Sequence, residues 1–323
     1  MLLNDLIKLI FKGGRDLSRF LFRLDAGRKQ GLSFGHLMRC HYLSQALRRQ
    51  GASTVFMMKD LPDGVNQAEY LGEKVWLDEP GAFKTAALEN QAVIFDLPEG
   101  PDPEDLRTAR ELGLWTVVMD DVNQPLPWAN VVLNSSILAV PDKYPRWARL
   151  LLGPEYLILP DDHSRARRIP RGNGELRQVL VTFGGSDPTG LTVRTAAALA
   201  ENPWEGLRFQ LVVGPGNTDA FELRRIAGQA ACLLEIVERP TELLPLFCRA
   251  DLAITAGGRT LYELHHLGVP TLAIASTAPE AQVVRAFKTK GWLQHALEAW
   301  DAELFLEALK QSLAGMKPAA RLE

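Results

Sequence analysis

Residues 251–274, DLAITAGGRTLYELHHLGVPTLAI, decide the fold. Leu252–Thr255 is a short apolar run ending in a β-branched residue, and Thr271–Ala275 is a second. Between them, Arg259–Leu267 places Leu261, Leu264 and Leu267 at helical spacing, with Gly257, Gly258 and Gly268 punctuating the two ends. A strand, a helix and a strand in so short a stretch form a βαβ unit. Strands this apolar on both faces belong to a parallel sheet covered by helices.

Outward from that unit the alternation continues. In the second half, strands are expected at Gln178–Phe183, Arg208–Val213 and Cys232–Ile236, with helices at Leu191–Glu201 and Asp219–Ala230. The first half repeats the pattern. Its strands are expected at Arg19–Leu24, Thr54–Met58, Ala92–Asp96, Trp115–Met119 and Val131–Asn134, and its helices at His36–Gln50 and Pro103–Leu112. The repetition, in a chain of 323 residues, predicts an α/β protein of two doubly wound, Rossmann-like parallel-sheet domains with an interdomain cleft, rather than one closed barrel. The N-terminal domain is placed at 16–160 and the C-terminal domain at 178–313. Pro160–Arg177, PDDHSRARRIPRGNGELR, has two prolines, five arginines and almost nothing apolar, so 161–177 is expected to be a solvated linker. Trp300–Leu313 reads as an amphipathic helix and 314–323 as a tail.

Residues 1–15 form an amphipathic extension. Leu2, Leu3, Leu6, Ile7, Leu9 and Ile10 share an apolar face, and Asp5, Lys8 and Lys12 lie elsewhere. Packing on the protein or a partner is the preferred reading, and membrane-surface contact through 1–12 is the alternative. No apolar run approaches the roughly 18–20 residues of a membrane span. A net charge of −3 gives no electrostatic argument for nucleic acid. Cys40, Cys232 and Cys248 make neither a disulfide framework nor a metal pair, and a cytoplasmic protein is expected.

The chemistry is expected at strand ends. The strand QVLVTF runs into Gly184-Gly185-Ser186-Asp187-Pro188 before a helix, and LAIT runs into Ala256-Gly257-Gly258-Arg259-Thr260. Glycines there let backbone N–H groups approach an anion, and the helix N-terminus behind them favours phosphate. Glu263, expected in the first turn of the second helix, either stabilises the helix dipole or accepts hydrogen bonds from ribose hydroxyls. Together these features point to a nucleotide site without Walker A or G-x-G-x-x-G motifs.

In the first half, Asp25-Ala26-Gly27 and Gly31-Leu32-Ser33-Phe34-Gly35-His36 open the next helix. His36 at a helix N-terminus is disfavoured from protonation, so it is either a general base or a helix cap. His41 points to another face, and His265 and His266 are adjacent, so neither suits zinc. With no D-x-D and no His/Cys cluster, metal-independent chemistry without a cofactor is expected.

FRLDAG (22–27), GHLMRC (35–40), VVMDD (117–121), LLGPEY (151–156), VTFGGSDP (181–188) and residues 251–274 together resemble the UDP-sugar hydrolase of the pseudaminic acid pathway and its spore-coat polysaccharide relatives. The resemblance implies a GT-B fold, similar to the peptidoglycan GlcNAc transferase, and hydrolysis of a UDP-linked diacetamido-trideoxy sugar. It implies His36 as general base beside Gly35. It assigns Gly35, Gly185, Ser186, Gly257, Gly258, Thr260, Glu263 and Gln282 to UDP or substrate. Here GLSFGH is longer than the family's turn, the tyrosine expected after Asp96 is absent, and Ala281-Gln282 replaces Asn-Gln. The UDP half is thus better kept than the sugar half. A UDP-sugar-dependent glycosyltransferase and an inactive UDP-sugar binder are the alternatives.

Overall fold

A computed structural model describes residues 2–12, 17–27, 34–167, 169, 177–240 and 242–315. The chain forms two compact units, Met1–Ser164 and Arg165–Glu323.

The N-terminal unit holds strands β1 (Arg19–Leu24), β2 (Ser53–Met58), β3 (Val75–Leu77), β4 (Ala92–Asp96), β5 (Trp115–Met119), β6 (Val131–Asn134) and β7 (Arg149–Leu152). They form one parallel sheet in the order β3-β2-β1-β4-β5-β6-β7. Its helices are α1 (Leu3–Ile10), α2 (Phe34–Arg49), α3 (Pro62–Tyr70), α4 (Ala82–Leu88) and α5 (Pro103–Glu111), and α6 (Asp161–Arg165) leads out of the unit. Alternation along β1 sorts the core. Phe20, Phe22 and Leu24 join α1 and α2 on one face, and Leu21 joins Phe83 of α4 and Leu106 of α5 on the other.

The C-terminal unit repeats the design. Its strands β8 (Arg177–Thr182), β9 (Leu207–Val213), β10 (Leu233–Glu238), β11 (Leu252–Thr255), β12 (Thr271–Ile274) and β13 (His295–Leu297) lie parallel in the order β10-β9-β8-β11-β12-β13. Helices α7 (Leu191–Ala200), α8 (Ala220–Ala227), α9 (Leu244–Arg249), α10 (Arg259–Leu267), α11 (Ala278–Thr289) and α12 (Ala302–Gly315) cover it. In both sheets the strand order reverses beside the first strand, at β1/β4 and at β8/β11. Chains leaving such neighbours turn opposite ways and open a crevice at the carboxyl ends of the strands, where ligands of this architecture bind.

Several expectations need correction. The short strands β3, β7 and β13 and the helices α3, α4, α9 and α11 join those read from sequence. Residues 2–12 are no extension: Leu3, Leu6, Ile7 and Ile10 are buried in the core of the N-terminal unit. At roughly 1.5–3 kcal/mol per buried side chain, that face is already committed and leaves none for a membrane surface. Arg149 Nη1 donates to Leu9 O at 2.8 Å, and Leu3 N–H donates to Asp161 Oδ1 at 3.4 Å, tying both ends of α1 to the end of the unit. The stretch 161–177 is not simply solvated chain. It begins with α6, Ala166 packs on the core of the C-terminal unit, and Ile169 N–H donates to Cys248 O at 2.7 Å. Its residues 168 and 170–176, and the tail from 316, lie outside the described residues. α12 ends at Gly315, two residues past the expected end. No helix of the described residues is long and apolar enough to cross a membrane.

Candidate functional site

At the carboxyl end of the first sheet, the turn after β1 leads into α2, whose first turn carries Gly35 and His36. Gly31, Leu32 and Ser33 of that turn lie outside the described residues, and Phe34 is already helical. His36 Nδ1 lies 2.6 Å from Oδ1 of Asp96, the fully buried last residue of β4. One turn along α2, Arg39 fastens the pair. Its Nε donates to Asp96 Oδ2 at 2.6 Å and its Nη2 to Oδ1 at 2.5 Å. The other edge of the guanidinium grips Asp121, after β5, with Nη1 to Oδ1 at 3.0 Å and Nη2 to Oδ2 at 2.8 Å. Cys40 Sγ adds a donor to Asp96 Oδ2 at 3.3 Å.

The tautomer of His36 follows by counting hydrogens. Arg39 Nη2 also lies 3.1 Å from His36 Nδ1. Its two hydrogens are both spent on carboxylates, so it has none to offer the imidazole. Nδ1 therefore carries the proton and donates it to Asp96, which leaves the lone pair on Nε2. Asp96 stays an anion: burial pushes its carboxyl up, but Arg39 first and His36 second hold it well below the usual range. Asp121 is likewise lowered by Arg39 against the effect of burial. Burial and then Asp96 push the Cys40 thiol far up, so it remains protonated. His36 is thus bonded to a carboxylate and is no simple cap. Its side chain keeps 12 % exposure.

The neighbouring groups are committed elsewhere. Asp25, at the end of β1, pairs with Arg23 Nη1 at 2.8 Å and Lys59 Nζ at 3.2 Å. Asp120 accepts from Tyr144 Oη at 2.6 Å and from the Val122 N–H at 3.1 Å, shaping the loop that carries Asp121. His41 bonds buried Glu73 at 2.6 Å, a fastening of α2.

In the C-terminal unit the loops after β8 and β11 flank the strand reversal. Gly184 turns with φ +83° into half-buried Gly185 and Ser186. A Cβ on Gly214 would stand 2.5 Å from Gly185 O, so the turn after β9 presses on this loop and requires glycine there. The N-terminus of α7 is not the phosphate seat expected from sequence. Buried Asp187 already takes it, accepting from Leu191 N–H at 2.9 Å, Thr192 N–H at 2.7 Å and Thr192 Oγ1 at 2.6 Å. An anion here must be met by loop N–H groups instead.

After β11, a Cβ on Gly257 would stand 2.7 Å from Glu280 O, so α11 packs directly on the Gly257-Gly258 loop. Thr260 is in the first turn of α10. Glu263 falls just past the first turn of α10, in which it was expected, and its partner is Arg259 Nε at 3.0 Å rather than the helix N-terminus. Gln282 of α11 lies on the wall of a cleft of about 750 Å³, with Thr189, Arg194, Ser276 and Trp300. His265 stacks on Trp292 with ring centroids 4.4 Å apart. Among the described residues no group of three or more His, Cys, Asp or Glu could hold a metal ion.

Sequence reasoning singled out His36 but gave Arg39 no part. The i, i+3 spacing of His36 and Arg39, opposite acidic residues ending two neighbouring strands, was the available signal.

No family model matches the chain. A spore coat polysaccharide biosynthesis protein, SpsG, of Bacillus subtilis is 29% identical over 118 residues, 36% of this chain and 34% of that protein, so the chain matches about a third of its relative. Among solved structures, MurG of Acinetobacter baumannii is similar with a TM-score of 0.64 at 15% identity, over 92% of this chain and 91% of that one. The spinosyn rhamnosyltransferase SpnG gives 0.57 at 16%, over 91% of each chain. Anabaena HepE, solved with UDP and glucose, gives 0.52 at 12%, over 91% and 90%. Likeness over nine-tenths of each chain, with two parallel-sheet units ordered as above, shows that the protein has the GT-B glycosyltransferase fold.

Proposed function

We propose that the protein transfers a glycosyl group from a UDP-sugar to an acceptor hydroxyl, with His36 as the general base. The observation that carries this reading is the His36–Asp96 pair clamped by Arg39, which holds Nε2 as a proton acceptor. As the acceptor oxygen bonds to the anomeric carbon, its proton passes to Nε2. The bond from that carbon to the diphosphate breaks, and its electron pair leaves on UDP. The Gly185-Ser186 and Gly257-Gly258 loops, with Thr260 and Glu263, are assigned to the diphosphate and ribose, and Gln282 to the sugar. Loop N–H groups there stabilise charge growing on the leaving group. A rhamnosyltransferase and a protein solved with UDP and glucose, both among the fold neighbours, support this reading. The partial likeness to a polysaccharide biosynthesis protein supports a surface-glycan setting.

Hydrolysis is the second reading, favoured by the GHLMRC and 251–274 segments. Water then replaces the hydroxyl at the same base, and the sugar is a diacetamido-trideoxy one. The test is UDP release from a panel of UDP-sugars, with and without hydroxyl acceptors. Turnover only with an acceptor supports transfer, free sugar without one makes the protein a hydrolase, and binding without turnover in either case removes the catalytic role.

A further inference from the structure

Asp121 has no place in the proton transfer just described, yet Arg39 gives it two hydrogen bonds, as it gives Asp96. The charged and titratable groups facing the imidazole among the described residues are Asp96 at the end of β4, Arg39 and Cys40 on α2, and Asp121 after β5. The thiol is neutral. Among the described residues one guanidinium therefore stands against two carboxylates, and these groups together carry one negative charge in excess while His36 is neutral.

A single carboxylate would balance the charge of Arg39. With Asp96 alone the group would be neutral at rest, and a proton arriving on His36 would leave an uncompensated positive charge beside a buried guanidinium. With Asp121 present, the same proton brings the group to neutrality. We propose that Asp121 is the charge-balancing residue of the base, a positioning residue that acts through Arg39 and supplies the negative charge which proton uptake by His36 cancels. The arrangement also divides the labour by exposure. Asp96 is sealed and sets the tautomer, while the Asp121 side chain is 40 % exposed and tunes the charge.

The inference rests on His36 being the base, but its test does not. In substrate-free protein, the imidazole of His36 is followed by NMR against pH, with assignment from His36→Gln. In Asp121→Asn the titration midpoint of His36 is expected about one pH unit below that of the wild type, because one nearby negative charge is lost. Asp121→Ser removes the same charge without an amide and is expected to show the same fall. Asp121→Glu is expected to restore the wild-type midpoint. An unchanged or raised midpoint in either folded neutral variant overturns the inference. The fall in a protein that turns over no UDP-sugar supports it while removing the transferase reading. Where turnover is measurable, the acid limb of kcat/KM is expected to move to lower pH and the plateau to fall, opposite effects that loss of packing alone does not produce.

Discussion

Replacing Asp96 with Asn tests the centre of the site at constant volume. The wild-type carboxylate is fully buried and accepts from His36, from Arg39 twice and from Cys40. Removing one partner of a buried ion pair costs about 3–5 kcal/mol when the other charge is orphaned. Arg39 retains both bonds to Asp121, and the Asn oxygen still accepts from it, so we expect a loss of about 2–3 kcal/mol. Against the ~5–15 kcal/mol of a typical domain the variant folds, with a melting temperature lower by roughly 5–10 °C. Activity falls further, for a geometric reason. We expect the amide oxygen in the place of Oδ2, where it accepts from Arg39 Nε and Cys40, and the NH₂ in the place of Oδ1, where it loses the Arg39 Nη2 bond and donates to His36 Nδ1. Nδ1 then accepts, the proton moves to Nε2, and the base has no lone pair where one is needed. A wrong tautomer of this kind costs about 10⁴ in kcat in the serine protease triad, and a fall of at least ~10³ is expected here. Steady-state UDP release, a thermal melt and nitrogen NMR of the imidazole on the same sample measure the three effects. Near-wild-type turnover, or an Asn variant with its proton still on Nδ1, would refute the reasoning. The pH dependence has a definite sign. Because the folded-state pKa of Asp96 is lowered, its contribution is full above the unfolded value of 3.8 and is lost as pH falls through the folded one. The stability gap between wild type and variant therefore narrows only in acid.

Three further outcomes are expected. His36→Asn should keep the melting temperature and UDP binding while turnover drops ~10²–10⁴-fold, and undiminished turnover would move the base elsewhere. Glu263→Ala loses an i, i+4 pair worth about 0.3–0.5 kcal/mol, so the protein folds, and calorimetry should show weaker UDP binding; an unchanged Kd removes the ribose role. Burial, then Asp102, push the Asp105 carboxyl up to about 6. Its charged form is thus disfavoured in the fold, and stability falls as pH rises from about 4 to 6. Asp105→Asn should raise stability by about 1 kcal/mol at pH 7–8, the gain being trimmed by the lost dipole interaction in the first turn of α5, and should do nothing at pH 4. A melting gain equal at both pH values would contradict it.

What the sequence disclosed follows from what each element is made of. β1, β4, β8 and β11 are long or uniformly apolar, and their positions were legible to within a residue. β3 and β13 are three-residue edge strands with half-exposed side chains, too short for a periodic signal. α3 and α11 begin at Pro62 and at Ala278-Pro279, where helix start and turn share a vocabulary. His36 was legible because glycine precedes it and a helix follows. Arg39 was not, because an arginine in a helix reads as surface until two acidic strand ends are known to face it. Asp187 misled in the opposite way, since an acid after two glycines looks like part of a phosphate loop until its side chain is seen to close on the helix it precedes.

α1 deserves a kinetic reading. One end of this first helix is tied by Asp161 and the other by Arg149, and its buried face completes a core built from β1 through β7. A chain emerging from the ribosome can form β1–α2–β2 early and lay α1 on them, but the bonds at the two ends of α1 wait until residues 149 and 161 are out. The N-terminal unit therefore completes folding late in its own synthesis, by closing a loop that runs its whole length. In the N-terminal unit taken by itself, joining 161 to the start of α1 and opening the chain at exposed Glu99 should then cost little, since the new covalent link follows a path the native contacts already bridge.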